Sequence, residues 1–99
     1  MNKIQYLFQL LQEEASEIIQ ASSKCNRFGC NSINQSSNIR MTNFEHVVVE
    51  LNDLFAIVQM LKDVGFDFTA FGNQEAIDAK IAKVTHYMQD SINEGLLDA

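Results

Sequence analysis

The chain has 99 residues, 46% of them hydrophobic, and a net charge of -6 with a pI near 4.6, which suits one globular domain over residues 1–99 and leaves no room for a second. The acidity excludes unspecific binding to nucleic acid polymers or anionic membranes through a basic face. The absence of proline, only four glycines and the lack of any apolar run near the roughly 18 residues of a membrane span predict an all-α, cytoplasmic protein without a signal peptide.

The first helix is predicted from about Asn2 to Ser23 or slightly beyond, with Gly29 ending the turn that carries Lys24 and Arg27. At about 100° per residue, Ile4, Leu7, Phe8, Leu11, Ala15, Ile18 and Ile19 form its main apolar stripe. Leu10 and Ala21 extend that arc to one side; Glu14 falls inside the extension, Glu17 on its edge and Glu13 away from it. Lys24 and Arg27, three apart, suit a helix C-terminus, where the macrodipole favours cations.

Cys30 to Met41 is polar, without helical or alternating periodicity, and is predicted as a loop. Cys25 and Cys30 are the only cysteines, and His46 and His86 do not complete a zinc pattern with them, so two free thiols are expected, a disulfide or redox pair being the minor reading.

Thr42-Asn43-Phe44-Glu45 matches a capping box and opens a second helix that runs to about Asp63, with Gly65 as its stop. Its stripe is Val47, Leu51, Leu54, Phe55, Val58 and Leu61, widened on one side by Ile57 and Val64, and Glu50 and Asp53 sit where Glu14 and Glu17 sit on the first helix. His46 precedes Glu50 by one turn and points to the same side. Phe66, Phe68 and Phe71 make the following connector too hydrophobic for a free loop, so it is expected to be buried. Asn73 caps a third helix that ends near Gly95 and carries Lys80 and Lys83 one turn apart.

Residues three apart share a helix face, so Glu14/Glu17 and Glu50/Asp53 each aim two carboxylates in one direction. One such pair is an ordinary solvated face. Two pairs at the margins of two apolar arcs predict a shared cation site, because carboxylates beside a core are costly unless paired. Oxygen-only ligands suit Mg²⁺, or Mn²⁺ in its place. A di-iron centre normally uses Glu-x-x-His pairs, and neither acidic motif has that histidine.

EExxE at Glu13-Glu14-Ala15-Ser16-Glu17 followed by ExxD at Glu50-Leu51-Asn52-Asp53 resembles the signature of the MazG-like, all-α nucleoside triphosphate pyrophosphohydrolases. The surrounding Gln12 to Ala21 and Lys24 to Gly29 are similar to the short phage and bacterial members, and the likeness runs from about Leu10 to about Lys83. The interval between the acidic pairs is longer than in many members and filled with polar residues.

The resemblance implies Glu14, Glu17, Glu50 and Asp53 as metal ligands and catalytic groups, with Glu13 in support. It also favours Lys80 and Lys83 as phosphate contacts over a solvated face; beside it, Lys24 and Arg27 are either cations at a helix C-terminus or phosphate contacts, Phe28 closes over a base or plugs the core, His46 is a surface residue, a support for Glu50 or a substrate contact, and the polar loop is a plain connector or a lid. Arcs this wide on three helices further predict a helical bundle completed by a homodimer or homotetramer. The expected reaction converts a nucleoside triphosphate, with dGTP or dCTP as first choices, to monophosphate and pyrophosphate. A non-catalytic helical interaction module and a nucleotide-binding sensor are the rival readings.

Overall fold

The computed structural model describes residues 1–33 and 38–99, as three helices: α1 (Lys3–Phe28), α2 (Asn43–Asp63) and α3 (Gln74–Asn93). No described residue belongs to a strand; Ile33 and Thr42 form one isolated bridge. No described helix is long and apolar enough to cross a membrane. Asn34, Gln35, Ser36 and Ser37, the middle of the predicted loop and of the expected lid, lie outside the described residues.

Each helix starts where a side chain satisfies its first free amides. Asn2 accepts from the Gln5 amide at 2.8 Å while Gln5 Oε1 accepts from the Asn2 amide at 2.9 Å, a capping box at the start of α1. Thr42 and Glu45 form the predicted box on α2, each bond 3.0 Å long. Asn73 caps α3 by accepting from the Ala76 amide at 2.9 Å. α1 runs five residues past Ser23 and stops at Gly29, whose φ of 94° is strained for any residue with a Cβ and whose amide closes on the Cys25 carbonyl at 3.0 Å.

The chain forms two compact units, residues 1–66 and 67–99. In the first, α1 and α2 pack as an antiparallel hairpin. At one end the Asn43 side chain donates to the Gly29 carbonyl at 2.9 Å, and at the other Phe8 meets Phe66 edge-on at 5.3 Å between centroids. The segment after Gly29 seats the start of α2: the Asn43 amide donates to Ser32 and the Phe44 amide to Cys30. In the second unit Phe68 and Phe71 pack edge-to-face ahead of α3.

The buried seam of the hairpin follows a seven-residue step. Leu7 and Ala21 on α1, with Glu14 between them, face Asn43, Glu50 and Ile57 on α2, joined by Leu61. Leu7 and Leu61 are completely enclosed, each worth about 1.5–3 kcal/mol of transfer free energy.

Two expectations are corrected here. The main stripe is only partly the buried face: Leu7 and Leu61 are enclosed, but Ile19 is 68% exposed and Ile4, Phe8, Leu51 and Phe55 are also exposed, while the side extension carrying Leu10, Glu14 and Ala21 turns inward. One partner helix covers only a narrow strip of an arc this wide, and periodicity does not say which strip. The aromatic connector is likewise not buried throughout. Phe68 is half-buried, but Phe66 and Phe71 stay exposed, because edge-on contacts cover a ring's rim and leave its face open.

Candidate metal centre

Glu14 and Glu50 stand on the buried seam, so the two acidic motifs meet across the hairpin. One carboxylate oxygen from each of Glu14, Glu17, Glu50 and Asp53 falls within a group whose members are all within 4.8 Å of one another. The four differ in setting: Glu50 is buried, Glu14 half-buried, and Glu17 and Asp53 are exposed at the open side. Glu14 and Glu50 therefore do not sit at the margin of the core, as the arcs suggested, but interrupt the buried seam, while Glu17 and Asp53 stay at its edge.

Two of these oxygens are orphaned. Glu14 Oε2 and Glu50 Oε2 are shielded from solvent with no hydrogen-bond donor. Buried acceptors without a partner cost roughly 1–3 kcal/mol each, and more when charged. Glu50 Oε1 is satisfied differently, by His46 Nε2 at 3.0 Å one turn earlier on α2.

Electrostatics agrees with the geometry. Burial raises the Glu14 carboxyl above its usual range, and the negative charges of Glu17, Asp53, Glu50 and Glu13 push it further. Burial also raises Glu50, with Glu17 adding to the shift and His46 opposing it. Among the described residues no Lys or Arg forms an ion pair with any of the four carboxylates. A divalent cation fits this donor set: it needs hard oxygen ligands, neutralises the repulsion and gives the orphaned oxygens a partner.

A cleft of about 340 Å³ opens beside the cluster, between the end of α1 and the start of α2. Its walls are Lys24, Ile39, Met41, Asn43, His46, Val49 and Glu50. Lys24 and His46, both predicted for the site, thus share a cavity with Glu50. Arg27 and Phe28 do not line it; the Arg27 guanidinium lies over the Phe28 ring, 4.7 Å from its centroid, at the exposed end of α1. Glu13 is exposed and takes no part in the cluster, and its carbonyl accepts from Ser16 Oγ. Lys80 and Lys83 are exposed on α3. Cys25 and Cys30 are both unbridged.

Asn43, Met41 and Val49 were not singled out from the sequence. Asn43 had a signal: it stands seven residues before Glu50 and fourteen before Ile57, in register with the buried face of α2. Comparison with protein-family models, with curated proteins and with solved structures gives no match.

Proposed function

We propose that the chain is a metal-dependent nucleoside triphosphate pyrophosphohydrolase of MazG-like type, using Mg²⁺ or Mn²⁺ and releasing pyrophosphate and a monophosphate. The observation that carries this reading is the pair of orphaned oxygens on Glu14 and Glu50, within a four-carboxylate cluster whose members come from EExxE and ExxD. The resemblance of those motifs to the MazG-like enzymes supplies the reaction, with deoxynucleotides such as dGTP or dCTP as the favoured substrates.

When bound, a divalent ion supplies positive charge for the phosphate oxygens and makes nearby water more acidic. The protein's own groups do the rest. Glu14 and Glu50 hold one side of the site rigidly, because both stand on packed helix faces, while Glu17 and Asp53 complete it at the open side from which a triphosphate approaches. His46 pins the Glu50 carboxylate in one orientation. Lys24 stands half-buried in the adjoining cleft without an ion pair to any described residue, which leaves its charge for a phosphate.

The exposed stripe of Ile4, Phe8, Ile19, Leu51 and Phe55 favours assembly into a homodimer or homotetramer. The same stripe is what a purely structural interaction module would show. One assay separates the readings: purified protein is incubated with each common nucleoside triphosphate and Mg²⁺ or Mn²⁺, and the products are resolved. Pyrophosphate from at least one substrate supports the enzyme; orthophosphate alone, or no product, contradicts it, and binding without turnover identifies a sensor.

A further inference from the structure

Cys25 and Cys30 flank the turn that leaves α1, and neither lines the cleft or belongs to the carboxylate cluster. Among the described residues no third metal-ligating side chain gathers with them, so the two thiols do not make a metal site. Cys25 is half-buried in the last turn of α1, and Cys30 is exposed just beyond its end.

The turn between them is pinned from several sides. Gly29, at a φ of 94°, takes the chain off the helix while its amide still donates to the Cys25 carbonyl at 3.0 Å. Ser32 then ties the turn back to the helix end, its Oγ donating to the Phe28 carbonyl at 2.6 Å and its amide to the Gly29 carbonyl at 3.3 Å. The start of α2 holds the same segment from the other side, since the Cys30 carbonyl accepts from the Phe44 amide at 3.0 Å and the Ser32 carbonyl from the Asn43 amide at 2.9 Å. A backbone fixed in this way sets where the two side chains stand. The thiols are brought within hydrogen-bonding reach of each other: burial raises the Cys25 thiol above its usual value, and the contact with Cys30 raises it further. A disulfide demands such placement, because side chains that point apart cannot be bridged without moving the backbone.

We propose that Cys25 and Cys30 are a redox couple, a latch that closes as an intrachain disulfide and fastens the end of α1 to the segment seating the start of α2. Its co-reactant is a small-molecule disulfide. The exposed Cys30, as thiolate, attacks one sulfur of that reagent, forming a mixed disulfide and releasing the other half as a thiolate. The Cys25 thiolate then attacks Cys30 Sγ, the bond between the two cysteines forms, and the second half of the reagent leaves. The protein gives up two electrons and two protons, and the reagent takes them as two free thiols. Lys24, adjacent to Cys25, and Asn43, bonded to the Gly29 carbonyl, both line the cleft, so the latch closes at the wall of that cavity. It requires neither the metal site nor the proposed reaction.

If folding positions the thiols, folding favours the bond and the bond favours folding by the same factor. The equilibrium between dithiol and disulfide is therefore measured in mixtures of reduced and oxidised glutathione, once with the native protein and once in denaturant, by acid quenching and mass spectrometry. The chain has no other cysteine, so loss of two hydrogens from a single chain identifies the bond without any variant. The native protein is expected to favour the disulfide over the denatured chain by on the order of 10-fold or more. An equilibrium no more favourable in the native protein than in denaturant overturns the latch. So does a native protein that yields only mixed disulfides with glutathione or covalent dimers.

Discussion

His46 Nε2 lies 3.0 Å from Glu50 Oε1, so one oxygen of that buried carboxylate is held by the helix that carries it, while the other, Oε2, has no partner. The carboxylate is thus half satisfied, and it shares its cluster with Glu14 and Glu17 of α1. In the proposed metal site, a histidine in this position would orient a ligand without being one.

Replacing it should therefore weaken the metal site without destroying it. His46→Ala is expected to lower Mg²⁺ affinity by about 10-fold, as loss of a carboxylate's supporting hydrogen bond commonly does, and His46→Gln to recover part of the loss. Calorimetric titration with Mg²⁺ checks this; unchanged affinity in His46→Ala would show that the contact is incidental.

The response to pH should change with metal. Glu14 and Glu50 have folded-state pKa values raised above the ordinary carboxylate value, so the native state binds more protons than the unfolded chain just above that range. Without metal, stability should fall as pH rises through the folded-state values of these two groups. Glu45 and Asp67 are lowered, through hydrogen bonds to Thr42 and Thr69, so their contribution is lost as pH falls below the ordinary range. Melting temperature in chelator should therefore peak at mildly acidic pH, and added Mg²⁺ should flatten the neutral side. A metal-free profile rising steadily to neutral pH would contradict the raised carboxyls.

Leu61 is completely buried in the hairpin, near the C-terminal end of α2, whereas the cleft lies at its start. Leu61→Ala should cost about 2–5 kcal/mol, as large-to-small changes at enclosed sites do. Denaturant unfolding measures it; a loss well under 1 kcal/mol would mean that the hairpin collapses onto the space or that the seam is not a stability-determining core.

The exposed stripe predicts association. Light scattering at micromolar concentration should give at least twice the 11.2 kDa chain mass. A monomer would show that the stripe needs no second copy.

Local signals in the sequence carried most of the fold. The Thr42 box, the Asn73 cap and the stops at Gly29 and Gly65 each act within a few residues, so the helix bounds follow from side chains adjacent to them. The four clustered carboxylates were legible for the same reason, since three-residue spacing fixes a shared face. What could not be read was which strip of a wide apolar arc meets its partner within the chain. That depends on the register between helices, set by contacts such as Asn43 with Gly29 and Phe8 with Phe66, which join residues far apart in sequence. The cleft was hidden likewise, because Lys24 and Val49 become neighbours only once the hairpin closes.

The proposed metal site rests on four carboxylates converging from α1 and α2. Like charges this close repel when no cation is present, so removing one should relieve the metal-free protein while crippling the site. Thermal melts of wild type and Glu50→Gln across a Mg²⁺ titration test this directly. The wild type should gain melting temperature with Mg²⁺ by mass action, and Glu50→Gln should melt no lower than wild type in chelator and respond weakly or not at all to the ion. Parallel curves for the two proteins would contradict the claim, since a residue outside any metal site shifts stability by roughly a few tenths of a kcal/mol and leaves the ion's effect intact.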